Sequence, residues 1–387
     1  MAISFGTAKE RRELQALLVT HHRLDVIIQL LTLSHKYTGD LSDKLLSGQV
    51  NIDTTAEVTR SATMELLDPN HQLNLDEKAP EDGSLYFTKM TKITYVISTP
   101  DLKKRYFVPI FCGPITKVDR KGPVISIECQ GKEILASQTI WSARTFKKGL
   151  KKVEVIRRIM EAAGEKKMTL ADRDAKIGTN VSANRKFTFW KLARKIAKGM
   201  GMQLFYDGRG ILRLRRTPSK SAYEFLDTGA LLSNPQVSYD SQEMANAVEV
   251  IGGKPKGKKK KIHHRQVAPK HHPMSPWSIG RNGTPRYIPL VIEDSSIKSK
   301  AAAKRLAKQR LDNALKQGVD VTFDSLPIPF LEELDLVRYR TPTSAGRFRL
   351  NKMTIPLTAN GSSSIGYLRR VSPQRANNKN RKKRGGK

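Results

Sequence analysis

FTFWKLARKIAKGMGMQLFYDGRGILRLRR, residues 187–216, is the stretch whose reading decides the fold. Phe189, Leu192, Ala193, Ile196, Ala197 and Met200 recur at helical spacing, and Lys191, Arg194, Lys195 and Lys198 take the opposite face. Thr188 stands where an N-cap belongs, and Gly199 or Gly201 can end the helix. Residues 202–206 then read as a strand. Asp207-Gly208-Arg209-Gly210 makes a turn, and residues 211–215 return with Leu212 and Leu214 alternating with Arg213 and Arg215. This helix–strand–turn–strand unit holds no nucleophile, carboxylate pair or metal-ligand spacing. It reads as architecture.

Outward from it, the chain is rich in short strands. Residues 24–33 read as a strand, with a helix as the other reading; 8–22 is a short helix or an arm. Residues 47–53 and 58–67 alternate, and Asp68-Pro69-Asn70 closes the second. Strands follow at 92–98, 106–112, 115–119 and 124–129, punctuated by Gly113-Pro114 and Lys121-Gly122-Pro123. Few helices between such strands suggest an antiparallel barrel or sandwich. Val153, Ile156, Ile159 and Met160 mark a helix ending near Gly164. Strand texture resumes at 222–226, 236–239 and 247–252. Residues 287–292 form a further strand, 296–317 a helix, and 319–323, 334–339, 348–357 and 363–371 the last strands.

The totals set limits. With 387 residues there is room for two or three domains, and 38% hydrophobic content supports real cores. No apolar run reaches the ~20 residues that span a bilayer, so no membrane anchor is expected. The charged N-terminus does not resemble a secretory signal. Cys112 and Cys129 read as two reduced thiols in strands. The net charge is +34; residues 254–272 and 372–387 carry 15 of that excess and no acid, leaving 19 on the rest. Such a surface meets polyanions readily: nucleic acid, anionic lipid or an acidic protein.

Several sharper readings fail on context. The pairs His263-His264 and His271-His272 lie among cations that oppose a metal ion, and read as a hydrophilic loop with pH-dependent charge. Gly208 and Gly210 lack the following helix of a phosphate-cradling loop. Glu332 and Glu333, read as strand neighbours, face opposite ways and make a poor acid–base pair. No zinc-finger spacing, RNA-binding aromatic motif or helix-turn-helix is evident. The basic face of the 190–198 helix could lie on lipid, but its other face is an ordinary core stripe and Trp190 serves packing onto the strands. No catalytic, cofactor-binding or metal-ligating residue is assigned, and no cofactor is expected. The candidate contacts for a polyanion or partner are Lys258, Lys259, Lys260, Lys261, Arg381, Lys382, Lys383 and Arg384.

The order of local phrases carries a resemblance. Ser47-Gly48-Gln49-Val50 leads to Arg60-Ser61-Ala62-Thr63-Met64-Glu65-Leu66-Leu67-Asp68. Phe111-Cys112-Gly113-Pro114-Ile115 precedes Ile125-Ser126-Ile127-Glu128-Cys129. The 190–216 unit, Ala245-Asn246-Ala247-Val248-Glu249-Val250, and the helix around 302–311 leading to a strand follow. Over residues 20–371 this resembles the baseplate or tail-tip hub proteins of tailed bacteriophages, relatives of the myophage central hub and of siphophage minor tail proteins. The resemblance implies an α+β, mainly β fold: an N-terminal arm at 1–22, a first tube-like antiparallel β-barrel at 23–144, an α/β insert at 145–221, a second tube-like barrel at 222–371 containing a mobile basic loop at 253–284, and a disordered basic tail at 372–387. It further implies a structural, non-enzymatic virion protein, assembled in the host bacterial cytoplasm. As a homotrimer it would adapt a six-fold tail tube to a three-fold tip and line the DNA channel. Its partners would be tail tube and distal tail proteins, the tape measure protein, and tip spike or fibre proteins, with non-specific DNA contact in the channel. The charge alone supports an alternative, a sequence-independent nucleic-acid-binding protein; a weaker one is a tail-associated cell-wall hydrolase.

Overall fold

Thr7 starts the first helix by a capping box: Glu10 N–H donates to Thr7 Oγ1 at 3.2 Å, and Thr7 N–H donates to the Glu10 carboxylate. In the computed structural model of the chain, residues 6–73, 75, 85–171, 175–239, 245–255, 260–295, 297–315, 319–342, 345–358, 363–366 and 369–370 are described. They fall into two compact units. The first comprises Met1–Asn234, Phe323–Ala345 and Leu350–Gly366; the second comprises Pro235–Thr322, Gly346–Arg349 and Tyr367–Lys387.

In the first unit, α1 (Ala8–Leu18) precedes β1 (Arg23–Thr32), β2 (Tyr37–Asp40), β3 (Leu45–Asp53), β4 (Arg60–Leu67), β5 (Lys89–Ser98), β6 (Arg105–Lys121) and β7 (Val124–Gln130). β1 and β5 pair without a break from Arg23↔Ser98 to Thr32↔Lys89, with β2 on the outer edge. β5 is buried along nearly its whole length, as a strand covered on both faces must be. The stretches read from sequence as separate strands at 106–112 and 115–119 are one strand, β6. Its first part, to Pro114, pairs with β5, and its last part, from Ile115, pairs with β7. Pro109 sits beside a register shift, and Pro114 stands where pairing passes from one neighbour to the other; a missing N–H costs least at such points. Beyond β7 the order continues through β4 and β3.

After β7 come α2 (Glu133–Ala136), β8 (Arg144–Phe146), α3 (Lys152–Ala162), β9 (Met168–Leu170), β10 (Val181–Ala183), α4 (Phe189–Lys198), β11 (Met202–Tyr206), β12 (Leu212–Arg216) and β13 (Ser221–Leu226). Residues 136–214 share one apolar core, in which Ile156, Met160, Trp190, Ala193 and Leu212 are fully buried. The opening stretch folds as its pattern dictates. Thr188 Oγ1 accepts from Lys191 N–H at 3.1 Å, α4 ends at Gly199, and β11 and β12 form an antiparallel pair with Leu204 opposite Leu214.

The second unit contains β14 (Gln236–Tyr239), β15 (Ala247–Gly252), β16 (His263–Val267), β17 (Pro289–Asp294) and α5 (Lys300–Ala314), and β18 (Val319–Ser325) begins in it. β15 pairs antiparallel with β16 and parallel with β17. α5 covers this sheet, packing Ala303, Ala307 and Leu311 on Val248 and Val250. Residues 253–284, expected as one mobile loop, therefore contain a strand. They also contain a turn knot centred on fully buried Ser275, whose hydroxyl donates to Lys270 O at 3.0 Å and accepts from Ser278 N–H at 3.0 Å. Local hydroxyl–backbone bonds hold what composition alone reads as open chain.

The chain ends with β19 (Leu336–Arg340), β20 (Ala345–Arg349), β21 (Lys352–Pro356), β22 (Ser363–Gly366) and β23 (Arg369–Arg370). The stretch 348–357, expected as a single strand, is divided at residues 350–351; of 363–371, residues 363–366 and 369–370 are strand, while 367, 368, 371 and the tail lie outside the described residues. β21 pairs antiparallel with β3, Met353 opposite Ile52, and β22 joins β21 to residues 323–325 of β18. The first sheet is thus extended beyond β3 by strands some three hundred residues further along the chain. β13 and β19 pair in parallel beside an aromatic cluster of Tyr223, Phe225, Phe323 and Phe330. The chain is mainly β with few helices.

Candidate functional site

The densest chemistry in the described residues is a buried ionic junction within the first unit. It is built from β4, the Gly131–Lys132–Glu133 corner ahead of α2, the β11–β12 hairpin, and residues 332–335. Two glycines let the hairpin turn come this close. A Cβ at Gly208 would lie 2.2 Å from Pro109 O, and Gly210, at φ +71°, would put one 2.9 Å from Cys112 Sγ. Asp207, 1% exposed, shapes the turn: its carboxylate accepts from Arg209 and Ile211 N–H at 3.0 Å each and from Arg213 Nε at 2.8 Å.

Arg60 reaches from β4 into the junction. It donates to Ile110 O at 2.5 Å and forms a short ion pair with Glu332; both side chains are at most 5% exposed. Glu332 also accepts from Gly208 N–H at 3.3 Å. Glu333 accepts from Gln203 Nε2 at 3.1 Å, while Gln203 and Arg215 both donate to the Glu333 carbonyl. Arg215 further pairs with Asp335 at 3.0 Å. Lys132 ties the same corner to residues 165–210: it bonds Glu165 at 2.6 Å, Gly210 O at 3.1 Å and His35 Nε2 at 3.1 Å, above the Tyr206 ring.

Burial sets the protonation of this cluster. It pushes the Glu333 carboxyl up to about 7, reinforced by Glu133, against the pull of Gln203, Arg60 and Arg194. It raises Asp335 to about 6 despite Arg215. Glu133 is raised too, and its Oε2 has no hydrogen-bond partner, while Thr59 donates to its Oε1 at 2.7 Å. Burial and the neighbouring Lys132 drive His35 down to about 4. These groups are spent on each other and on backbone atoms, an arrangement that fastens segments together.

Glu332 and Glu333 were expected on a strand, facing apart. They lie instead in a turn just before β19, and both are buried. Arg60, Lys132, Glu133 and Asp335 were missed. The signal was local: acids embedded in apolar runs, as in PFLEELDLV (329–337) and GKEILA (131–136), imply carboxylates carried inside a core. Trp190 packs as expected, fully buried against Tyr206, with its Nε1–H donating to Glu57 O at 3.1 Å. The basic face of α4 is partly spent as well, since Lys191 pairs with Glu57 at 3.1 Å.

Of the candidate polyanion contacts, Lys260 and Lys261 are exposed, just ahead of β16. Lys258, Lys259, Arg381, Lys382, Lys383 and Arg384 lie outside the described residues. His263 and His264 are consecutive on β16 and so point to opposite faces; His263 lies 3.6 Å from Glu249. His272 accepts from Met274 N–H at 3.1 Å. Cys112 and Cys129 are buried free thiols, both raised by burial, to about 11 and about 12. Among the described residues no helix is long and apolar enough to cross a membrane.

No protein-family model matches the sequence, and no curated protein matches it. Solved structures do match. The 43 kDa tail protein of prophage MuSo2 from Shewanella oneidensis aligns with a TM-score of 0.62 at 11% identity, covering 89% of this chain and 98% of that one. A tail protein from Neisseria meningitidis gives 0.61 at 11% identity over 89% and 96%. A prophage tail protein from Listeria monocytogenes gives 0.52 at 11% identity over 90% and 95%. The chain thus shares, over nearly its whole length, the fold of phage tail proteins.

Proposed function

We propose that this protein is the structural hub of a phage tail tip or baseplate. The observation that carries the reading is the likeness in fold to a prophage tail protein over 89% of this chain and 98% of that one. On this reading three copies form a ring, each contributing two tube-like β regions, so that a six-fold tube is adapted to a three-fold tip. The DNA channel runs through the ring. The tail tube, tape measure and spike or fibre proteins are its neighbours, and the virion tail is its location. The junction supports a mechanical role, because it fastens β4, the β11–β12 hairpin and the 332–335 turn with one fully buried ion pair and one largely buried one. The 258–261 and 381–384 basic clusters serve as contacts to DNA in the channel or to acidic neighbours.

Sedimentation of the purified chain together with mass spectrometry of virions tests this. A trimer, present in virions at tip-like copy number, is expected; a monomer absent from virions overturns it. The net charge favours the nucleic-acid reading as the second choice. A DNA-binding titration across salt, with a chain ending at Val371 in which Lys258, Lys259, Lys260 and Lys261 are replaced by serine so that β16 is kept, separates the two. Affinity that vanishes with those charges leaves the folded units without a nucleic-acid role; affinity that persists favours the alternative.

A further inference from the structure

The insert carries a cleft of about 230 Å³ between the 138–146 segment and α3. Ile140, Phe146, Ile159, Ala183 and Phe189 give it an apolar floor. At its mouth Trp141 is 72% exposed, an unusual placement for the largest apolar side chain. The Arg185 guanidinium lies 4.9 Å from the Trp141 ring centroid, holding both side chains ready. Arg144 and Arg158 line the rim, and Lys147 continues it along a shallower trough. Against these four cations the rim has one acid, Glu161, while Glu154 bonds Arg158 at 2.7 Å from the side. β8, which forms one wall, is laddered to β10 alone among the described residues, so its second edge offers backbone groups to an extended chain.

We propose that this cleft is a docking site for an extended acidic peptide segment of another protein, one that inserts a large apolar side chain beside Trp141 and sets carboxylates on Arg144 and Arg185. Charge complementarity selects the acids. The apolar floor selects the side chain between them; a nucleobase stacked on Trp141 is the competing occupant, and the oligonucleotide probe below separates the two. A preformed Trp–Arg pair over a pocket is the arrangement that concentrates binding energy at protein interfaces. The site lies wholly within residues 138–189 and does not depend on the assembly proposed above.

Fluorine NMR of the full chain labelled with 5-fluorotryptophan tests it. The chain has three tryptophans. Trp190 is fully buried and serves as the silent reference, and exposed Trp277, 5.3 Å from Lys270 Nζ, reports binding elsewhere. The probes are a peptide of alternating glutamate and leucine, one of glutamate and serine with equal length and charge, and a single-stranded oligodeoxynucleotide. The glutamate–leucine peptide should shift the Trp141 line, leave Trp190 unmoved, and bind about tenfold or more tighter than the serine peptide. Arg144→Glu with Arg185→Glu should weaken it about tenfold or more, the unmoved Trp190 line showing that the fold is kept. The proposal is overturned if the Trp141 line stays still at saturation, if the two peptides bind alike, or if the oligonucleotide matches the glutamate–leucine peptide at Trp141.

Discussion

Replacing Arg60 by Met should be among the most damaging single changes in the first unit. The guanidinium is 5% exposed, its partner Glu332 is 4% exposed, and after the change Glu332 keeps only the 3.3 Å bond from Gly208 N–H. Ile110 O also loses its donor. Removing one partner of a buried pair costs about 3–5 kcal/mol, because the remaining charge stays inside without compensation. At about 2 °C per kcal/mol for a large domain, melting of this unit should fall by roughly 6–10 °C. The double change Arg60→Met with Glu332→Leu separates that cause from mere loss of packing. It removes both charges but leaves the Ile110 carbonyl and the Gly208 N–H unpaired, so it should remain below the native chain yet stand about 1 kcal/mol or more above Arg60→Met in stability. Calorimetry and urea titration of the three proteins are the assay. A loss below about 1 kcal/mol for Arg60→Met, or a double variant no better than the single, would refute the junction as a fastening.

The raised carboxyls make stability depend on pH. Glu333 and Asp335 hold protons to about 7 and about 6 when folded, against 4.5 and 3.8 for the ordinary side chains, so between about pH 4.5 and 7 the folded chain binds more protons than the unfolded one. Their contribution must therefore weaken as pH rises through that window, and Glu333→Gln should flatten the difference in urea midpoint between pH 5 and pH 8; an unchanged difference rejects the assignment. Thr188→Ala should cost about 1 kcal/mol by removing the α4 cap, and Trp190→Ala about 3–5 kcal/mol, both read by urea titration. Gly208→Ala forces a Cβ onto Pro109 O, so hydrogen exchange should speed up in β11 and β12, whereas Gly178→Ala, with open space around it and no left-handed backbone, should leave those amides protected.

What could be read from sequence was what short-range periodicity encodes. The α4 stripe, the alternation of Leu212 and Leu214 with arginines, and the β1 apolar run all declare themselves within ten residues. Gly113-Pro114 misled because a proline breaks a strand only where its N–H is needed, and β6 changes partners there. The pairing of β21 with β3 was illegible, because nothing local at Met353 names Ile52 as its neighbour. The same limit hid the junction. Arg60 and Glu332 are 272 residues apart in the chain, so the apolar run around Glu332 signals a buried carboxylate but not the partner it meets. The candidate contacts singled out by charge density instead fall on exposed Lys260 and Lys261 and on residues outside those described.

The most direct test of the hub reading is a cryo-EM reconstruction of the distal end of the virion tail. The account predicts three copies of this chain in one ring, coaxial with the tail tube, with the two β regions of each copy around the channel. A tip without this chain, or one in which it sits off the axis or in any number other than three around the channel, would contradict it.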